Sequence, residues 1–381
     1  MSTSTLRIHG LDTLRALAVT LVVLHHYVLF VSDAPTFGWV GEVGWVGVDL
    51  FFALSGYLIG NQIFAALARP DGFSLRRFYA RRLLRTLPNY WVVLALYYLW
   101  PAFRADAPLL PLWKYASFVQ NFALEPGSAF SHSWSLAIEE QFYLLLPALA
   151  LFGAWCGARF AASLRLAWVA IALAFLAGML VRADLWQEMA GQDYQLYFYF
   201  KYIYYSSLCR VDELLAGVAL ALLRNHHPGA WGRLTRHGNL MGLGGLLVCA
   251  VAFWCFVEQR YGYGITVFGF PLMALGFSML IVSAVATGSV LRSLRVPGAG
   301  PLALWSYAIY LLHKPVSVMA AGWMQGQGYG AEHPLTIVAL LALSVLTGWL
   351  LYRFVETPFM RLRERYVPSH SVRPEARQLV V

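Results

Sequence analysis

The sequence predicts an all-α, polytopic integral membrane protein of about ten transmembrane helices with both termini cytoplasmic, and three observations carry that prediction. Charged residues make up 12% of the chain and hydrophobic ones 59%, whereas a soluble domain carries about 25% charged residues. Apolar runs close to the roughly 20 residues that a spanning helix needs recur from residue 11 to residue 356. Basic residues crowd into alternate segments between those runs.

The candidate spans centre on residues 22, 55, 94, 146, 174, 214, 248, 275, 313 and 345. Leu11 to Val31 resembles a secretory signal in length, but Asp12 and Arg15 inside it and the lack of a small-residue cleavage site mark it as a retained first helix. The connections are short except Arg104 to Ser133 and Arg182 to Leu208. The second of these holds Tyr194, Tyr197, Tyr199, Tyr202, Tyr204 and Tyr205, which reads as an aromatic interfacial stretch or as part of a longer tilted helix. With the N-terminus inside, 20 of the 28 Lys and Arg residues fall in cytoplasmic segments, five in outer ones (Arg104, Lys114, Arg182, Lys201 and Arg260) and three within spans. Cytoplasmic loops carry such an excess. Residues 1–358 are therefore expected to form one membrane domain, followed by a short basic cytoplasmic tail, 359–381. No appended soluble catalytic domain is expected, which places the chemistry in the helix bundle.

The net charge of +9 does not point to nucleic acid, because the arginines sit in short clusters between apolar segments instead of along one face. Cys156, Cys209, Cys249 and Cys255 lie in or beside apolar segments without metal-type spacing and read as packing residues. No metal site is expected.

An ionisable side chain inside a bilayer costs about 2.5–3.5 kcal/mol on insertion scales, so each one marks a candidate site. Arg15 and His26 in the first span are eleven residues apart, which brings them to within about 20° of one face and separates them by about 16 Å along the axis. A buried histidine can act as a base near neutral pH or carry a transferred acyl group itself, and an arginine suits phosphate; alternatively Arg15 snorkels and His26 packs. His25 points about 80° away from that face. In the second span Asp49 needs a buried partner, while Gly47, Ser55 and Gly56 permit close helix packing or ligand contact. Arg82 and Arg85 at the start of the third span could form a basic face for a polyphosphate, or could serve topology alone. His132, Trp134 and Ser135 open the fourth span. There Ser133 or Ser135 could cap the helix, and Glu139 and Glu140 either favour its N-terminal end or orient an acceptor and handle protons. Arg210-Val211-Asp212-Glu213 again sets polar groups against an apolar helix. His313 either lines a cavity with Tyr310 or hydrogen-bonds between helices. Glu356 with Arg353 reads as a surface ion pair.

In this order the segments resemble the membrane acyltransferase-3 family, from Leu11 to about Pro358. The resemblance rests on Leu11-Asp12 with Arg15 and His26, the Gly47 to Gly56 segment, Arg82-Leu-Leu-Arg85, Trp134-Ser-Leu with Glu139 to Tyr143, Ser306-Tyr307 with Tyr310 and His313-Lys-Pro315, and Glu356-Thr-Pro358. It implies acyl-CoA, commonly acetyl-CoA, as co-substrate from the cytoplasm, and no permanently bound cofactor. It also implies an acceptor hydroxyl on a cell-surface or exported glycan, glycolipid or natural product, and leaves room for polysaccharide-assembly partners in a bacterial inner or plasma membrane. By resemblance Arg15 and His26 are the essential pair and Arg82 and Arg85 contact the donor. Ser55 is placed with the donor, while Asp12, Asp49, His132, Trp134, Ser135, Glu139, Glu140, Tyr310 and His313 are expected to support the site or its acceptor side. The competing class is a transporter or flippase, since buried charge also marks transport pathways, although no internal repeat is evident.

Overall fold

The computed structural model describes residues 8–69, 72–156, 160–193 and 195–368. Arg7, Arg159, Tyr194 and the final 13 positions of the expected tail, 369–381, lie outside them. Helices occupy all ten predicted positions. α1, His9–Tyr27, continues into a π-helical turn, Val28–Ser32. It is followed by α2, Val46–Leu67, α3, Leu75–Leu99, α4, Trp134–Cys156, α5, Phe160–Met189, and α6, Asp212–His226. The set continues with α7, Gly238–Glu258, α8, Phe270–Val285, α9, Ala299–Gly326, and α10, Pro334–Leu351. No strand occurs among the described residues.

Seven helical runs are long and apolar enough to cross a membrane: His9–Ser32, Val46–Leu67, Ser131–Trp155, Leu164–Met189, Gly238–Glu258, Ile265–Val285 and Pro334–Tyr366. The other three helices have visible reasons to differ. α3 opens on Arg76, Arg77, Arg81, Arg82 and Arg85, α6 has 15 residues, and α9 interrupts its apolar run with His313, Lys314 and Pro315. Large apolar side chains face outward, among them Leu149 and Phe152 on α4, Leu173 and Leu180 on α5, and Leu247 and Trp254 on α7. Water would not tolerate so wide an apolar surface; hydrocarbon does. The protein is a multi-pass membrane protein.

α1 is the central post, packed against α2, α8 and α9. α2 lies hard against α6 because both crossing residues are glycine: a Cβ on Gly56 would collide with the Leu214 carbonyl, and one on Gly217 with the Ala53 carbonyl. Small residues let backbones approach in this way where helix association depends on packing. One ion pair locks the crossing and a second ties α6 to α5. Arg210 pairs with Asp49, both fully buried, which supplies the partner that Asp49 was expected to need. Arg182 grips Asp212 through two bonds of 2.6 and 3.0 Å and also donates to the carbonyls of Cys209 and Val267.

Several sequence-based expectations are corrected here. Arg182 belongs to the buried core and not to an outer loop, because α5 runs on to Met189. The long segment between α3 and α4 folds back into the bundle, with Tyr115 and Phe130 fully buried. Lys314 Nζ ties it down through the Ser131 hydroxyl at 2.8 Å and the Ala129 carbonyl at 3.2 Å. Glu356 is buried and accepts from Asn89 Nδ2 at 2.7 Å, so it is not a surface ion pair with Arg353; the π-helical turn Tyr352–Glu356 rotates the carboxylate inward. The expected boundary at residue 358 falls inside a further helix, α11, Thr357–Tyr366, docked on α3 through Arg81 and Glu364 at 2.9 Å. Cys209, Cys249 and Cys255 are free thiols, as expected of packing residues.

Candidate functional site

Two cavities meet beside α1. The first, of about 310 Å³, is lined by Arg15 from α1, Ser55 from α2, Arg82 and Arg85 from α3, Ser135 and Glu139 from α4, and Tyr310 from α9. Three arginines face one carboxylate there, so the cavity carries a surplus of positive charge. The helical spacing that sets Arg82 and Arg85 three residues apart puts both on this wall. Arg82 is held from behind: its guanidinium stacks 3.6 Å from the centre of the Tyr143 ring and reaches Glu140 at 3.5 Å. The Ser55 hydroxyl donates to Glu139 Oε1 at 2.9 Å. An anion entering this cavity would meet cations already oriented by neighbours, which lowers the cost of binding it.

The second cavity, of about 230 Å³, is lined by His25 and His26 from α1, by His132 and Trp134 at the start of α4, and by Tyr199, Phe200, Tyr204 and Tyr205 from the segment before α6. Arg260 completes the wall. Val48 lines both cavities, and the neighbours Trp134 and Ser135 face one each. The partition between the two spaces is therefore about one side chain thick.

Hydrogen bonds define the protonation pattern around His26. Nδ1 of His313 lies 3.0 Å from the Ile309 carbonyl, an acceptor only, so this nitrogen carries the proton. In the neutral ring its Nε2 is then an acceptor, and His26 Nδ1, 2.6 Å away, must donate to it. The two rings lie 3° from parallel, their centres 4.9 Å apart. His26 is left with a lone pair on Nε2. His132 follows the same rule: Nε2 donates to the Leu311 carbonyl at 3.4 Å, and Nδ1 is buried without a partner. Its ring centre is 6.1 Å from that of His26. Tyr310 clamps this strand of structure, its hydroxyl donating to the His132 carbonyl and bonding Ser135 Oγ, both at 2.6 Å. The arrangement offers a base on one side of a thin partition and an anion-binding cavity on the other.

A family model described as an acyltransferase domain matches residues 8–353, nearly the whole described chain. The chain belongs to the acyltransferase-3 family. This acyltransferase-3 chain is 27% identical over 384 residues to the peptidoglycan O-acetyltransferase OatA of Listeria monocytogenes, covering 92% of this chain and 56% of that protein. It is 30% identical over 377 residues to the putative peptidoglycan O-acetyltransferase YrhL of Bacillus subtilis, covering 92% and 54%. It is also 26% identical over 379 residues to the O-acetyltransferase OatA of Staphylococcus aureus, covering 92% and 57%. The chain thus spans about half the length of these curated relatives. No solved structure matches it.

Within this acyltransferase-3 fold, Arg15, Ser55, Arg82, Arg85, Ser135, Glu139 and Tyr310 gather at the first cavity, and His26, His132 and Trp134 at the second. Glu139 was expected beside the outer acceptor entrance with His132, but the helix carries it past the partition into the arginine cavity. Glu140 stands behind Arg82. His313 lines neither cavity and hydrogen-bonds between helices, the second of the two readings left open for it. Asp49 is committed to Arg210, and Asp12, in the first turn of α1, lies outside both cavities. Neither serine caps α4: the Ser133 hydroxyl donates to the Phe130 carbonyl at 2.7 Å, and Ser135 bonds Tyr310. Lining residues that the sequence did not single out as site candidates include Trp45, Val48, Thr86, Arg260 and Tyr261. From the sequence, the tyrosine run before α6 reads as an interfacial stretch or as part of a longer tilted helix. Its π-helical turn, Tyr199–Tyr204, instead points rings into the histidine cavity.

Proposed function

We propose that the protein is an integral membrane O-acyltransferase, in first place an O-acetyltransferase, which moves an acyl group from acyl-CoA to a hydroxyl of a cell-envelope glycan such as peptidoglycan. The observation that carries this reading is the pairing, on one helix, of a cation-rich cavity at Arg15 with an oriented base at His26. The diphosphate and phosphate groups of acyl-CoA suit Arg15, Arg82 and Arg85. A cavity of about 310 Å³ is at the small end for ligand sites, roughly 300–1,000 Å³, so it takes the slender pantetheine arm and leaves the nucleotide at its mouth. The arm points the thioester toward Val48 and the histidines. The relatives' names supply the acceptor class.

In this mechanism His26 Nε2 takes the proton of the acceptor hydroxyl. The freed oxygen attacks the thioester carbonyl carbon, the carbon–sulfur bond breaks, and the leaving thiolate takes the proton back from the imidazolium. Products are the O-acyl ester and free CoA, and His26 returns to its starting state. The arginines at the start of α3 support a cytoplasmic donor side for the arginine cavity, because cytoplasmic segments carry the excess of basic residues. Transfer of labelled acetyl from acetyl-CoA in membrane vesicles tests the reading, comparing intact protein with His26→Ala and Arg15→Ala at matched expression. Label on a glycan only with intact His26 is the expected result. Equal labelling by all three proteins would remove His26 and Arg15 from the chemistry, and no labelling by any of them would leave transport as the leading reading.

A further inference from the structure

The histidine cavity has a lopsided composition. Among the described residues its walls are mainly aromatic and imidazole with Val22, Leu29, Val48 and Leu196 between them, no carboxylate lines it, and Arg260 is its single Lys or Arg. Arg260 follows α7 in a tight turn and, among the described residues, makes no ion pair. The turn itself is anchored, since Trp186 Nε1 donates to the Tyr261 carbonyl at 2.7 Å and the Gly262 amide to the Gln259 carbonyl at 2.9 Å. A guanidinium without an ion-pair partner among the described residues, on the wall of a cavity that also holds the proposed base, can receive an anion there. At about 230 Å³ the cavity falls below the roughly 300–1,000 Å³ of drug-sized sites. It admits one ring at a time, and tyrosine, tryptophan and phenylalanine faces suit the apolar face of a sugar ring.

We propose that this cavity is the acceptor subsite and selects a single sugar residue that bears an anionic group, which Arg260 seats while the reacting hydroxyl points at His26. The inference rests on the O-acyltransferase reading and narrows its acceptor from glycans in general to anionic ones. A carboxylate and a phosphate share the chemistry that Arg260 reads.

Vesicles containing the full chain and the envelope glycan of the expressing cell are given labelled acetyl-CoA. The product is digested to single residues and separated by anion exchange. Label should elute with anionic sugars; amidation by carbodiimide abolishes that retention if the group is a carboxylate, and phosphatase treatment does so if it is a phosphate. Arg260 is exposed, so Arg260→Glu should fold normally. It is expected to raise the acceptor KM about tenfold or more, the scale of one charge-assisted hydrogen bond, whereas Arg260→Lys should keep most of the affinity. Label on neutral sugars, or an unchanged acceptor KM in Arg260→Glu, overturns the anionic subsite and leaves the transferase standing. Absence of His26-dependent label with the intact protein overturns the transferase reading and the subsite with it.

Discussion

Replacing His313 with alanine removes the acceptor that holds the Nδ1 proton of His26. The bond is 2.6 Å long and part-buried between α1 and α9, and a buried N–H left without a partner costs about 1–3 kcal/mol. His26 avoids that cost by moving its proton to Nε2 or by turning its ring, and either change takes the lone pair away from the cavity. At about 1.4 kcal/mol per tenfold, the productive arrangement becomes about 5- to 140-fold rarer. The rate of transfer should fall by the same factor, within the roughly 10²–10⁴-fold that a positioned general base contributes. His313→Gln is the discriminating control, because a glutamine carbonyl can accept the same proton and should restore much of the rate. The assay is the initial rate of labelled acetyl transfer in vesicles at matched expression, with kcat and the KM for acetyl-CoA measured separately; the loss should fall in kcat. An alanine variant within twofold of the intact protein, or a glutamine variant no better than alanine, would refute the tautomer argument.

Other predictions concern the donor cavity, the partition and the fold. Arg85→Gln should raise the KM for acetyl-CoA about tenfold, since it removes one charge-assisted phosphate contact, as a donor titration in vesicles would show. Val48→Ala should let longer acyl groups such as butyryl be transferred, and Val48→Trp should block transfer, because Val48 borders both cavities; competition between acetyl-CoA and butyryl-CoA measures the change. Asp49→Asn leaves Arg210 charged and unpaired in the core, a loss of about 3–5 kcal/mol that should appear as early unfolding of the detergent-solubilised protein. Asp49→Asn combined with Arg210→Gln should unfold later than the single change. Gly56→Leu should disrupt the α2–α6 crossing and lower the yield of folded protein on size exclusion.

Much of this architecture can be read from composition and spacing. Low charge and long apolar runs imply membrane helices because hydrocarbon forces every backbone group to find a partner within its own segment, and that constraint is local. The same locality explains why the Arg82 and Arg85 pair was legible: two residues on one turn share a face whatever the rest of the chain does. The coarse placement of Arg15 and His26 at opposite ends of one helix face follows from helix geometry alone and is seen in the two cavities that they line. Local pattern fails where a side chain's role depends on a distant partner. Glu356 and Arg353 look like a surface pair along the chain, but a π-helical turn and Asn89, 267 positions away, turn the carboxylate inward.

What the sequence by itself determined is the solvent, the helices and which ionisable residues lie within them, all of which follow from periodicity and from the cost of charge in hydrocarbon. Only the tertiary structure decided which of those residues share a cavity. His26 and His313 are 287 positions apart, and no local rule brings them within hydrogen-bonding distance. Packing of α9 against α1 does, and the Ile309 carbonyl then dictates which imidazole nitrogen stays free. Tautomer and partition both arise from helix–helix contacts, which depend on the shapes of several distant segments at once.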